Sequence, residues 1–570
     1  MRPLRLLLAV GLVLLAGGAA QPQSEPNATA IHAVHRNGQT FVTWMDAAPG
    51  EAGARFRYAL YRADVPITDG NLSDARLVGR GILNNSARRF GEAFRPQQRL
   101  DPDRPQTILE EGGAPLPLWS GIGVYTARVA GRGYYAVVTT DGSHKALSRV
   151  VPGTNATTAP IEEQPGELRP IKQIDSRARG VAGGQGVISG TAGLPLHLWL
   201  HPSASEGGPA GRIGDYYVYF GSEDLGFRDG MPGVFSAEER REKGGGALVV
   251  KPRDAIESDS PKGGARQSLW FGYYGVPQWS TQREPRAYPF TERRLLWMLA
   301  WAQQHYQTDP ERVYVSGQSM GGWGSATFAL RHPERFAAVF PLLPRFRQHL
   351  LPGLPPKRGQ RPLMDDGKTP YFERMDMVRF VGEHRADLPF IGWAIGRRDG
   401  FATFGQQVEM AKALTAARHG FAFAWNNGGH SAGTKPIAEV YKYYPPDRFR
   451  RNLSYPAFTR SSIDDDPGDG DPARGAMEGG INLGFVWKDP TDESDRWAVS
   501  FSNVLAHDPM TVDVTPRRAQ QFRPRPGEVV RWTTAAGASG EVTVDQWGLV
   551  TVEKVAIRPG QDTVLTFNRR

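Results

Sequence analysis

The chain has 570 residues, too many for one hydrophobic core and enough for about three domains. At 40% hydrophobic and 22% charged it is a folded rather than a disordered sequence, and 67 glycines with 45 prolines suit β-rich modules joined by many turns. The lack of cysteine excludes disulfides, thiol catalysis, thiolate metal sites and a lipidated N-terminal cysteine; the formal charge of +9, spread without a basic run, argues against nucleic acid as a partner and suggests only a modest attraction to anionic surfaces.

Residues 1–20 read as a signal peptide. Arg2 and Arg5 begin it, an apolar run follows over 6–15, and Gly18, Ala19 and Ala20 offer small residues for cleavage before Gln21. The run is short for a membrane span and no later stretch is long enough, so no spanning segment is expected. A retained N-terminal anchor is the alternative. Export without disulfides fits a bacterial periplasm or exterior.

Residues 27–155 have the pattern of a β-sandwich. A short strand over 41–44 brings Trp44 to a core, and Phe56, Tyr58 and Leu60 alternate with Arg55, Arg57 and Ala59 at the period of a half-buried strand. A Tyr-rich strand over 131–138 then runs into a turn at Asp141-Gly142. Together these resemble a fibronectin type III domain, which implies a tyrosine corner built from a tyrosine of that strand. A sandwich of another family is the alternative. The Pro-, Glu- and Gly-rich residues 156–186 form a linker.

From 187 to 444 strands alternate with helices, the signature of a mainly parallel sheet. Strands are expected over 194–200, 247–250, 312–316, 336–340, 389–395 and 421–425, the last closing the sheet. A helix over 291–306 puts Leu295, Leu299, Ala302 and Tyr306 on one face, and Phe404, Val408, Ala411 and Thr415 mark another. Residues 445–570 return to β-rich composition, with strands over 511–514, 529–533, 542–544 and 549–552.

The chemistry sits in Gly317-Gln318-Ser319-Met320-Gly321-Gly322, between the 312–316 strand and a helix ending near His332. That context is a nucleophile elbow: the serine occupies a strained turn, and Gly317 and Gly321, two residues to either side, keep it clear of clashes. The stretch 309–322 resembles secreted esterases of the α/β-hydrolase superfamily, relatives of polyhydroxybutyrate depolymerases, feruloyl esterases and acetyl xylan esterases. It is also similar to the catalytic domain of prolyl oligopeptidases. The resemblance covers most of 187–444 and implies an α/β-hydrolase domain, here flanked by N-terminal and C-terminal β-sandwich domains.

A serine hydroxyl needs a histidine to take its proton and a carboxylate to orient that histidine. In this fold they follow in the order Ser, Asp or Glu, His, each on a loop after a strand. Asp399 follows the 389–395 strand, with a helix N-cap as its other reading, and His430 lies just past the 421–425 strand. Asp387 would fall at the wrong end of the sheet, Glu409 lies within a helix, and His384 and His419 belong to helical or connecting segments. The oxyanion is expected to take N–H groups from Met320 and from the loop after 194–200, where Pro202 has none and Ser203 is the better donor. Relatives often carry a His-Gly-Gly type sequence at that loop, from which this chain departs.

Two aromatic stretches, 215–220 and 270–274, line a cleft for a sugar ring or aromatic acid, or else form strand core. The segment 341–387, rich in Pro, Arg and Gly, is positioned to cover the site. Asp464, Asp466, Asp469 and Asp471 have a spacing that suits calcium, but the pattern lacks an EF-hand's terminal Glu, so a solvated acidic turn is favoured and no metal or cofactor is expected. The expected reaction is hydrolysis of a carboxylic ester through an acyl-enzyme, on an esterified polysaccharide, a polyester or a fragment of one. A prolyl oligopeptidase-like peptidase is the alternative, disfavoured by an N-terminal segment too short for a propeller. A non-catalytic binder is disfavoured because Ser319, Asp399 and His430 are all present. Oligomeric state stays open.

Overall fold

One sheet of ten strands carries the site. The computed structural model describes residues 25–87, 109–110, 121–166, 171–174, 192–200, 212–220, 231–242, 245–252, 254, 256–257, 265–266, 268–275, 284–350 and 361–569. The expected signal peptide, 1–20, and the loop that holds Ser203 lie outside these residues.

Across the sheet the strands run in the order Gly479–Ile481, Phe421–Asn426, Phe390–Gly396, Ala338–Leu342, Val313–Gln318, Leu196–Leu200, Gly245–Pro252, Met231–Glu242, Arg212–Phe220 and Ile171–Ile174. From Phe421–Asn426 to Gly245–Pro252 every pairing is parallel, and beyond them at both edges the pairings are antiparallel. The parallel strands are short, apolar and buried on both faces, with Phe390–Gly396 and Ala338–Leu342 enclosed along their whole length. Helices cover them: Phe290–Tyr306 turns Leu295, Met298, Leu299, Ala302 and Tyr306 inward and stops where Gln307 adopts a left-handed conformation. The arrangement is α/β-hydrolase-like, with several further β-sheets around it.

The chain leaves Leu196–Leu200 toward Gly245–Pro252 on one side, and leaves Val313–Gln318 toward Ala338–Leu342 on the other. Such a reversal opens a crevice at the carboxyl ends of the strands, where open α/β sheets bind ligands. Ser319 stands at the end of one of the two strands that flank it.

Several boundaries differ from the sequence reading. Phe421–Asn426 is not the last strand, because Gly479–Ile481 from the C-terminal segment pairs antiparallel with it. One hydrophobic cluster runs from Leu196 through Trp393 to Trp497 and Phe567, so the C-terminal sheets share the core of the central one. The strand expected over 336–340 is Ala338–Leu342. The one expected over 549–552 begins only at Val552, because Asp545 accepts the N–H groups of Trp547 and Leu549 and holds that stretch as a turn.

In the N-terminal segment a three-stranded sheet (Thr29–Arg36, Gln39–Met45, Ile122–Ala127) and a four-stranded one (Arg76–Leu83, Arg57–Ala63, Gly131–Thr140, Ile161–Glu163) both contribute to a core around Trp44, Tyr58 and Tyr135. Ile161–Glu163 falls within the stretch read as linker. It is a strand because Glu163, 3% exposed, is held by Arg62 at 2.7 Å, by Thr40 at 2.6 Å and by the Tyr135 hydroxyl. That hydroxyl therefore serves a carboxylate, not the backbone bond of a tyrosine corner; Tyr125 is the tyrosine that donates to a carbonyl, that of Val78.

Candidate active site

Ser319 links Val313–Gln318 to the helix Met320–Arg331 with φ 55° and ψ −117°. A non-glycine residue held there stores about 1–3 kcal/mol of strain, which the surroundings must over-determine. They do so through its N–H, which donates to the Leu342 carbonyl at 2.9 Å, and through its own carbonyl, which accepts from Trp323 at 3.0 Å. A Cβ on Gly317 would lie 2.3 Å from the Gly321 carbonyl oxygen and 2.6 Å from that of Leu200. The turn thus closes only with hydrogen at that position. Gly322 is as constrained, since its Cβ would meet the Leu342 oxygen at 2.4 Å.

The three residues expected to form a triad are brought together. The Ser319 hydroxyl lies 2.7 Å from His430 Nε2, and His430 Nδ1 lies 2.7 Å from Asp399 Oδ2. Asp399 has a fully enclosed side chain, while His430 keeps 30% of its own exposed. Asp399 Oδ1 accepts the N–H groups of Phe401 at 2.8 Å and Ala402 at 2.9 Å. The carboxylate does not cap the helix Phe404–Ala416, whose N-cap is Thr403; it closes the loop before that helix with one oxygen and faces His430 with the other.

Two loops are locked to one another to achieve this. The Arg397 N–H donates to the Asn426 carbonyl at 2.8 Å and the Arg398 N–H to that of Gly428 at 2.9 Å. Asn426 braces the histidine loop from within, accepting from Gly428 at 3.0 Å and donating to the Ala432 carbonyl at 2.8 Å. Phe401, 64% exposed, packs its ring 5.0 Å from that of His430. Sequence reasoning passed over Asn426, Gly428 and Phe401, although all three lie within two residues of a singled-out position or beside a strand end.

The rivals are engaged elsewhere. Asp387 pairs with Arg517 at 3.0 Å and Glu409 with Arg347. Burial drives the His419 imidazole well below its usual pKa, and its Nε2 donates to the His384 carbonyl at 3.0 Å. His384 is lowered as well, by burial first and then by Arg517.

Met320 is buried and opens its helix, so its N–H has no partner within the helix. The second expected donor, Ser203, lies outside the described residues. Of the aromatic stretches, 215–220 belongs to the strand Arg212–Phe220, three places from Leu196–Leu200 across the sheet and away from the triad loops. Trp270, Phe271 and Tyr274 are buried, Phe271 edge-on to Tyr371 at 5.4 Å, which makes that stretch core and not cleft lining.

The acidic cluster has a specific use. Asp464, Asp466, Asp469 and Asp471 accept N–H groups of Asn482, Gly468, Asp471 and Ala473, and Asp469 also pairs with Arg474 at 2.5 Å. The cation inside the loop is a side chain of the protein. Arg397, fully buried, donates to the carbonyls of Ala476 at 2.6 Å, Asp471 at 3.1 Å, Pro472 at 3.3 Å and Pro467 at 3.4 Å, and to that of Arg474. It also lies 4.4 Å over the Phe404 ring.

A family model described as "Putative esterase" matches residues 261–348, which include the elbow and Ser319. Among solved structures, the S-formylglutathione hydrolase of Agrobacterium tumefaciens is 17% identical, over 40% of this chain and 91% of that one, with a TM-score of 0.27. The carboxylesterase of Bacillus cereus is 13% identical over 45% and 88%, at 0.23, and the dipeptidyl peptidase 4 of Porphyromonas gingivalis 14% identical over 73% and 48%, at 0.28. Comparison with curated proteins gave no match. With the esterase match spanning the nucleophile elbow, the chain is a serine ester hydrolase. No helix among the described residues is long and apolar enough to cross a membrane.

Proposed function

We propose that Ser319 is the nucleophile, His430 the general base and Asp399 the residue that orients it, in an exported hydrolase of carboxylic esters. The observation that supports this most directly is the unbroken hydrogen-bonded chain from Ser319 Oγ through both imidazole nitrogens to a buried carboxylate. As Oγ attacks the ester carbonyl, its proton passes to Nε2, and Asp399 stabilises the imidazolium through Nδ1–H. The oxyanion is held by the Met320 N–H and, as the second donor, that of Ser203. His430 then protonates the departing alcohol, and water repeats the sequence on the acyl-enzyme. The substrate class is an esterified polysaccharide or polyester, with the segment 27–155 as a β-sandwich module that places the enzyme on it and the C-terminal sheets of 445–570, which share the central core, as its support. The basic leader and small-residue cleavage pattern support export.

The test is a fluorophosphonate label combined with an ester-and-peptide panel. The wild type should be labelled and hydrolyse short aryl esters; Ser319→Ala should stay folded, lose the label and lose about three or more decades of turnover. A label retained by Ser319→Ala, or peptides cleaved in preference to esters, would overturn the reading.

A further inference from the structure

Beside the triad one apolar side chain stands in the open. Phe401 is 64% exposed, more than any other large apolar residue among the described ones, and its ring packs 5.0 Å from that of His430 at a tilt of 55°. Single apolar residues on a surface are ordinary, but this one is held in place. Its N–H donates to Asp399 Oδ1 at 2.8 Å, its carbonyl accepts from Arg345 Nε, and the next N–H, of Ala402, reaches the same Oδ1 at 2.9 Å. Ala402 is buried, and its carbonyl accepts from the Gln407 amide at 2.8 Å. Backbone bonds fix the residue while most of its surface stays in water.

The imidazole's task gives that position its meaning. His430 Nδ1 is engaged by Asp399, and Nε2 faces the Ser319 hydroxyl at 2.7 Å. In the proposed reaction the same Nε2 hands its proton to the departing alcohol, so the ester oxygen on the alcohol side must come within hydrogen-bond reach of it. Whatever that oxygen carries begins one bond away, whereas the acyl chain begins at the carbon bonded to Ser319. A ring in contact with the imidazole therefore meets the alcohol before it meets the acyl chain. Covering an exposed ring with a second one is favourable through both the area removed from water and the ring–ring contact.

We propose that Phe401 selects the alcohol half of the ester and favours one that carries a ring next to the ester oxygen. This rests on the triad reading of Ser319, Asp399 and His430. The contact is worth about three- to thirtyfold in kcat/KM.

Benzyl acetate and methyl acetate test it. Their alcohols are similar in acidity and both esters leave the same acetyl-enzyme, so a difference in kcat/KM arises before the alcohol departs. The benzyl-to-methyl ratio, taken within each protein in a pH-stat, cancels any loss of folded enzyme. It should be about three or more in the wild type, fall about threefold or more in Phe401→Ala, and be kept in Phe401→Tyr. Benzyl alcohol should also inhibit the wild type at lower concentration than Phe401→Ala. The ratio of para-nitrophenyl octanoate to acetate, where only the acyl chain differs, should stay within about twofold in Phe401→Ala. A wild-type benzyl-to-methyl ratio at or below one overturns the proposal. So does a Phe401→Ala that slows both acetates equally, because it shows the ring acting only by holding His430. A shift in the acyl-side ratio in place of the alcohol-side one overturns it as well. Ser319→Ala keeps the two readings apart: if it is inactive on both acetates, an unmoved ratio removes the role of Phe401 alone, and if it retains turnover, the triad reading falls and this one with it.

Discussion

Replacing Asp399 by Asn separates orientation from folding. Oδ1 of Asp399 accepts two backbone N–H groups, from Phe401 and Ala402, while Oδ2 accepts Nδ1–H of His430. An asparagine that keeps its oxygen on the two backbone donors preserves the loop but presents NH2 to His430. The imidazole must then carry its proton on Nε2, where it cannot receive one from Ser319. Turning the amide over restores the tautomer but sets NH2 against both backbone donors, at about 1–3 kcal/mol for each lost bond. The productive arrangement is thus disfavoured by about 2–6 kcal/mol, or about one and a half to four decades. The expected result is a fall in kcat on para-nitrophenyl acetate of about 10²–10⁴, with KM and the melting temperature little changed. Initial rates, circular dichroism and melting curves measure this. Activity of Asp399→Asn within about tenfold of wild type would refute the role of Asp399, since neither amide orientation allows it.

Gly317→Ala should yield little soluble enzyme, because the new Cβ would meet the carbonyl oxygens of Gly321 at 2.3 Å and Leu200 at 2.6 Å; soluble yield and melting curves report it. Arg397→Met removes the common partner of the carbonyls around it and should destabilise the protein by about 3 kcal/mol or more in urea unfolding, while EDTA or added calcium leaves wild-type melting unchanged. Burial pushes the Asp464 carboxyl up to about 7, so the folded protein holds a proton that the unfolded chain releases, and stability falls as pH rises from about 4 to about 7. Asp464→Asn should accordingly raise the melting temperature relative to wild type above about pH 7 more than it does near pH 4. Deleting 21–166 should spare small-ester turnover to within about threefold, because among the described residues the N-terminal clusters share no member with the central one; deleting 445–570 should abolish it, both judged by kinetics matched to circular dichroism.

The placement of Ser319, Asp399 and His430 was legible because each follows a buried strand, and strand ends in an alternating β/α pattern can be read from short apolar runs. Gly322 was in view but without a reason, since what crowds it is the Leu342 carbonyl from the neighbouring strand. The same strand was read as ending before Pro341, as proline in a sheet usually demands, yet Pro341 pairs with Gly317 at the strand's carboxyl end. Ile161–Glu163 looked like linker by composition, and only partners as remote as Thr40 and Arg62 make it a strand. Arg397 was unreadable for the opposite reason. A charged residue beside a candidate acid suggests solvent, and nothing local announces carbonyls from a loop some seventy residues on.

The Asp399 loop is where separate parts of the chain meet. Its backbone binds the histidine loop at Asn426 and Gly428, so the proposed acid and base share one scaffold. Its Phe401 carbonyl receives Arg345 from the segment expected to cover the site, which ties that segment to the loop holding Asp399. On the far side Arg397 fastens the loop to 466–476, and Gly479–Ile481 extends the sheet beside the histidine strand. The C-terminal segment therefore bears on the proposed triad through position: among the described residues none of its side chains bonds Ser319, Asp399 or His430. Catalytic groups must be held to within fractions of an ångström to be useful, and a loop bonded on three sides by backbone and guanidinium groups provides that restraint where a loop tethered only at its ends would not.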